Sequence, residues 1–301
     1  MTQFSALQHE ADGLSAGLPP LMVRADHLAA SVSLGVHGRR RAGMGESFWQ
    51  FRRYASHDSS SAIDWRQSAR SRHIFVRERE WEAAQTVWFW RDASPGMDFR
   101  SDVRSGPKDI ASKRRRADLL LLALASLLVR GGERVGFIGM EGAPAASRLA
   151  LTRIGRSLFA PHTDALPLAT LDRSQPIARG GHLVWFSDFL DEGAFDAMRR
   201  LSQRGVIGHL VRIVDPAEED FPYAGRTRFE APGQISGGAR GAAEIFGRAE
   251  RVRAAYRARF AAHGDAVAAQ AARLGWTATM HRTDHAPQAS LIALHGAIGG
   301  G

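Results

Sequence analysis

The sequence predicts an α/β protein: a doubly wound, mostly parallel sheet with helices on both faces. Three observations carry this. From residue 86 onward, short apolar runs alternate with longer stretches of helical pattern. The runs, such as HLVWFS at His182–Ser187, are almost continuously apolar, as strands covered on both faces are. Glycines close the helical stretches, at Gly131-Gly132, Gly205 and Gly275, where a helix C-terminus favours them. Successive strand–helix units of this kind build parallel sheets, which take ligands at the carboxyl ends of their strands near a topological switch point.

Taken in order, residues 1–34 read as an N-terminal arm whose loose first part ends in Pro19-Pro20, and Ser31 to Val36 alternates like a short strand. Residues 35–85 read as a decoration packed on the main domain, since nothing before residue 86 is apolar enough to form its own core. Within it, His37 to Gly45 is a basic, Gly-punctuated loop. Glu46 to Ala55 places Phe48, Trp49, Phe51, Arg52 and Tyr54 at helix-compatible spacing, and His73 to Arg79 alternates as a strand. Residues 86–298 form the α/β domain. Its strands are Thr86–Trp90, Arg134–Met140, His182–Ser187, Val206–Val214 and Trp276–His281, with Thr227–Glu230 as a short extra one. Its helices are Asp109–Arg130, Ala146–Phe159, Glu192–Arg204, Phe246–Leu274 and Pro287–Leu294; Asp215-Pro216 stops a strand, and Gly233 to Gly241 is a loop.

The 301 residues, 44% of them hydrophobic, suffice for one large domain or two small ones. The absence of cysteine excludes disulfides, thiolate metal sites and cysteine nucleophiles. The formal charge is +9, but only Lys108 and Lys113 are lysines. Arginine, alanine and glycine usage of this kind is what a GC-rich genome produces, which discounts nucleic acid as a partner. The basic runs Arg39-Arg40-Arg41 and Lys113-Arg114-Arg115-Arg116 contain no aromatic on which a base could stack. The second run opens a helix, where cations oppose the dipole, and reads as a solvated face or as a turn that meets an acidic partner. The N-terminus lacks the basic and apolar regions of a signal peptide. The longest apolar run, Leu119 to Val129, falls short of the roughly 20 residues that span a bilayer. The expectation is a cytoplasmic protein without a membrane span.

Two strand ends carry candidate chemistry. Asp92-Ala93-Ser94-Pro95-Gly96-Met97 follows the first strand of the α/β domain, and Ser187-Asp188 closes the third. Two carboxylates, a hydroxyl and waters suit a hard cation such as Mg²⁺. The same residues also serve as caps of the following loop and helix, and spacing leaves the two roles open.

The segment GESFWQFRRYASHDSSSAIDWRQSAR, then VREREWE, then the strand and DASPGM, resembles the signature of the bacterial domain of unknown function 58 family. The matching positions are Phe48, Arg52 and Tyr54, then Asp58, Ile63, Asp64, Trp65, Ala69 and Arg70. The closing WTATMHRTDHAPQASLIALH is also similar, so the resemblance runs from about residue 35 to 298. It implies a von Willebrand factor A-like domain with a metal-ion-dependent adhesion site, Asp-x-Ser-x-Ser with a distant Thr and Asp. Asp92 and Ser94 match its first two positions, Gly96 replaces the third Ser, Asp188 matches the distant Asp, and Thr152 or Thr163 is the Thr. It also implies a partner, a MoxR-type AAA+ ATPase, with which such a protein acts as adaptor or co-chaperone for a target complex.

Asp58, Asp64, Arg66 and Arg70 beside Trp65 are expected to form an internal ion-pair and hydrogen-bond network, arginine being suited to bidentate pairing with carboxylates; a docking surface is the alternative. Enzyme readings are weak. The chain has no nucleophile elbow, no H-E-x-x-H and no phosphate loop. The other classes weighed are a metal-dependent hydrolase or nuclease built on Asp92 and Asp188, and a basic nucleic-acid binder, which steep salt dependence would mark.

Overall fold

The computed structural model describes residues 20–36, 48–55, 63–79, 84–101, 111–159, 177–230 and 243–299. In chain order the elements are α1 (Pro20–Val36), β1 (Phe48–Arg53), α2 (Trp65–Ser68), β2 (Phe75–Arg79), β3 (Thr86–Arg91), α3 (Lys113–Arg130), β4 (Arg134–Phe137), α4 (Arg148–Phe159) and β5 (His182–Ser187). There follow α5 (Ala194–Gln203), β6 (Ile207–Val214), α6 (Pro216–Asp220), β7 (Thr227–Glu230), β8 (Ala243–Phe246), α7 (Arg253–Arg273), β9 (Thr277–Arg282) and α8 (Pro287–Ile298). The chain divides into two compact units, residues 36–84 and the remainder.

In the smaller unit β1 and β2 form an antiparallel pair, with Arg53 opposite Phe75 and a register shift between Phe48 and Gln50. The helix expected at Glu46–Ala55 is therefore a strand over its described part. Aromatic residues fit both periods, and pairing with Phe75–Arg79 decides for the extended form.

In the larger unit α1 corrects a second expectation. Ser31–Val36 is the last part of a helix rather than a strand. Leu21, Ala25, Leu28, Ala29 and Val32 are buried at helical spacing, so the segment read as an arm contributes to the main core. Pro20 stands at its first position, where a missing N–H costs nothing.

Five parallel strands make one sheet in the order β4-β3-β5-β6-β9. The order reverses between β3 and β5, which is the topological switch point. Alternate strand residues feed two cores. Val87, Phe89, Val184, Phe186, Val211 and Ile213 meet α1, α3, α4 and α8 on one face. Trp88, Trp90, Leu183, Trp185 and Leu210 meet α5 and α7 on the other. Trp90 and Trp185 pack edge to face there, 5.1 Å between ring centroids. Burying a side chain of such size contributes roughly 2–3 kcal/mol. Trp276 lies flat over Gly208, where a Cβ would come within 2.0 Å of its ring, and its indole N–H donates to the Val206 carbonyl at 3.0 Å.

Several boundaries differ from expectation, and one stop signal has a further role. The strand begun at Arg134 ends at Phe137, not Met140. Asp215-Pro216 does more than stop β6: Asp215 caps α6 in a reciprocal capping box with Glu218. Phe246 ends β8, which pairs with β7, so the long helix begins at Arg253. Among the described residues no helix is long and apolar enough to cross a membrane.

Candidate functional site

The switch point brings together the carboxyl ends of β3 and β5, and α3 begins against them. Asp92 follows β3, and its N–H donates to the Phe186 carbonyl of β5 at 2.9 Å. Its Oδ1 accepts from the Ser94 N–H at 2.7 Å, and its Oδ2 accepts from the Ser187 hydroxyl at 2.8 Å. The Ser187 oxygen accepts from the Phe189 N–H at 2.9 Å. Phe189 holds a left-handed φ of 60° while its ring is buried beside Trp185. For a non-glycine residue that conformation costs roughly 1–2 kcal/mol, sustained here by the buried ring and the Ser187 bond. Burial raises the Asp92 carboxyl above its ordinary value; the Ser94 and Ser187 hydrogen bonds oppose this, and Asp188 adds to it.

Asp188 faces a different partner. Its Oδ1 accepts from the Leu190 N–H at 3.1 Å, while its Oδ2 accepts from the Lys113 ammonium at 2.9 Å. The same ammonium lies 2.6 Å from Glu218 Oε1, and Lys113 as a whole is only 1% exposed. Burial alone would lower the lysine pKa, but Asp188 and Glu218 carry it above its ordinary value, so the group stays charged. Glu218 Oε2 completes its capping box by accepting the Asp215 N–H at 2.9 Å. Asp215 Oδ2 accepts the Ser101 N–H at 2.9 Å, tying the loop after β3 to the end of β6.

The basic run that opens α3 is thus not a solvated face. Besides Lys113, Arg114 donates to the carbonyls of Ala93 and Ser94 at 2.9 and 3.3 Å and pairs with Asp98. Arg116 donates to the Thr283 carbonyl at 2.5 Å, and only Arg115 is exposed. Carboxylates and carbonyls around the first turn offset the unfavourable placement of cations at a helix N-terminus. One turn on, Asp118 pairs with Arg91, the last residue of β3, at 2.9 Å with both side chains buried. Burial pushes the Asp118 carboxyl up to about 6 against the pull of Arg91.

The three residues expected to hold a metal are therefore close in the fold, but they do not fit a Mg²⁺-like ion. Such an ion takes about six oxygens at roughly 2.0–2.1 Å. Here both Asp92 oxygens accept protein donors, one Asp188 oxygen is held by an ammonium, and Gly96 offers no side chain. Thr152 sits on α4 with its hydroxyl donating to the Arg148 carbonyl, and Thr163 lies outside the described residues. Among the described residues no three His, Asp or Glu side chains are grouped to hold a metal.

In the smaller unit Asp64 caps α2, accepting the Gln67 N–H at 2.9 Å. The Ser68 hydroxyl donates to the Asp64 carbonyl and accepts the Phe75 N–H, joining α2 to β2. Trp65 is 67% exposed, and Arg66 and Arg70 are exposed too. The Asp64 carboxylate is thus engaged in capping, and the expected ion-pair network with Asp58 falls partly outside the described residues. Asp58 and the Arg52 side chain lie outside what the structure describes.

Sequence reasoning missed Lys113, Glu218 and Asp215 as members of the rim. A signal existed for each: one of only two lysines in an arginine-dominated chain, and an Asp-Pro-x-Glu capping box directly after an apolar strand.

No curated protein matches this chain. Solved structures similar to it include the conserved hypothetical protein BatB from Bacteroides thetaiotaomicron, with 14% identity, a TM-score of 0.40 and coverage of 72% of this chain and 98% of that one. Another is an aerotolerance-related membrane protein from Bacteroides fragilis NCTC 9343 with multiple mutations to serines, also 14% identical with a TM-score of 0.40, covering 72% of this chain and 100% of that one. The sequence profile of the family described as protein of unknown function DUF58 matches residues 50–266, well over half of the chain. This chain belongs to the DUF58 family.

Proposed function

We propose that this chain is a non-enzymatic protein-interaction module, cytoplasmic, that works with a MoxR-type AAA+ ATPase as adaptor or co-chaperone in the maturation of a target complex. ATP is bound by the partner. The docking face is the carboxyl rim around Asp92, Ser94 and Asp188.

The observation that carries this reading is a cleft of about 290 Å³ beside Asp188, where Leu190, Ile213, Val214, Tyr256 and Phe260 form an apolar surface bordered by Arg212, Glu218, Arg259 and His263. Leu190 is 62% exposed although it directly follows the buried Asp188 and Phe189. An apolar side chain held open at the edge of this cleft, on a loop fixed by hydrogen bonds at Ser187 and Asp188, suits a protein partner. Hydrolytic chemistry would call for a denser set of carboxylates than the rim provides.

Binding is tested by titrating the purified chain with the MoxR-type ATPase, with and without a non-hydrolysable ATP analogue. The expected result is a complex that Leu190→Asp weakens at least about tenfold, with folding stability changed by less than about 0.5 kcal/mol. Absence of a complex under both nucleotide conditions would sink the reading.

A further inference from the structure

We propose that Lys113 is the resident cation of the carboxyl rim, so that the acidic groups at the end of β5 and the start of α6 are organised by an ammonium and not by a divalent metal ion. This assignment does not depend on which partner the rim binds.

Four observations converge on it. The ammonium is within 2.9 Å of Asp188 and 2.6 Å of Glu218, carboxylates that come from two different elements. It is sealed from solvent at 1% exposure, so it is a fixed part of the interior. The rest of the rim is closed by protein donors: Asp92 by Ser94 and Ser187, Asp188 Oδ1 by Leu190, and Glu218 Oε2 by Asp215. Finally, all but two of the chain's 40 basic residues are arginine, yet this position is a lysine. A planar guanidinium fork suits two oxygens of one carboxylate. A compact ammonium suits one oxygen from each of two carboxylates, which is the arrangement found.

A metal ion entering here would have to displace the ammonium. That would leave a buried positive charge without its carboxylates, at a cost of the kind that makes breaking one side of a buried ion pair strongly unfavourable. The ammonium also joins α3, β5 and α6 at one point, a role that a metal ion would otherwise serve.

The test uses the full chain. Calorimetric titration of the wild type with Mn²⁺ to millimolar concentration should show no saturable uptake, and its Tm should be the same in EDTA as in excess Mg²⁺. Lys113→Met keeps the apolar stem and removes the ammonium that contacts both Asp188 and Glu218, leaving only the more distant Arg212 to offset them. Its Tm in EDTA should fall, and Mn²⁺ should raise that Tm by several degrees. Saturable Mn²⁺ binding by the wild type that Asp92→Asn abolishes would overturn the proposal. So would a Lys113→Met chain as stable as wild type, or one whose lost stability Mn²⁺ does not touch. Should Lys113→Met fail to fold, nitrogen-15 spectra of the wild type decide. A slowly exchanging lysine ammonium signal unchanged by Mg²⁺ or EDTA supports the assignment, and its absence rejects it.

Discussion

The two ends of the five-stranded sheet handle buried polar groups in opposite ways. At the carboxyl end the interior holds formal charges, Arg91 with Asp118 and Lys113 with Asp188 and Glu218. At the amino end it holds neutral imidazoles. His182 of β5 and His209 of β6 share a hydrogen bond of 2.9 Å, and His209 continues to the Thr277 hydroxyl of β9 at 2.9 Å. Burial lowers both histidines, His209 to about 4, and His182 adds to the shift at His209. The charged end ties helices to strands across long sequence separations, while the neutral end ties strand to strand. The difference teaches that in this fold ionic interior contacts are concentrated where helices begin. There the backbone alone does not position the loops that leave the sheet.

Breaking each end separately tests the contrast. Lys113→Met should cost about 3–5 kcal/mol at neutral pH, the range for removing one partner of a buried ion pair. His209→Leu, which leaves His182 and Thr277 short of one partner each, should cost only about 1–3 kcal/mol. Urea unfolding of the two variants side by side checks the order; equal costs would erase the distinction. Ser187→Ala should come below both, at about 1–2 kcal/mol, because it leaves the Asp92 carboxylate and the Phe189 N–H each short of one bond but removes no charge.

pH sharpens the comparison further. His209 has a folded-state value of about 4 against an ordinary 6.5. Its contribution is present above about 6.5 and is lost as pH falls toward 4. Asp118 is displaced the other way, from 3.8 to about 6, so its contribution is present below about 4 and is lost as pH rises through 6. Between pH 4 and 6 the two ends therefore oppose each other. His209→Leu should make stability climb less steeply with pH in this window, and carbon-13 titration of the Asp118 carboxyl should show a midpoint near 6. A midpoint near 4 would remove the carboxyl end from the balance.

Much of the sheet was legible because its strands are apolar on both faces and its helices end at glycines. The apolar run His182–Ser187 coincides with β5 to the residue. α1 was not legible, because a six-residue alternation at Ser31–Val36 looks like a strand when the buried positions upstream are not counted with it. The aromatic spacing of β1 suits either period, and the partner that decides lies more than twenty residues away. At the rim, Asp92, Ser94 and Asp188 were legible as polar residues closing apolar strands. The counter-ion was not, since Lys113 is 75 residues from Asp188 in sequence and sits in a run that reads as solvated surface. Local patterns register periodicity and caps; they carry no record of which side chain crosses the interior to meet which.

The stacking of Trp276 on Gly208 has a consequence for how this sequence can change. With a Cβ only 2.0 Å from the indole, no single substitution at Gly208 is accommodated while the ring remains. Shrinking Trp276 first opens a void in the second core, which is itself costly. Each position thus blocks the other's mutational path. The order of substitutions matters, and lineages that have crossed this barrier should differ at both positions together.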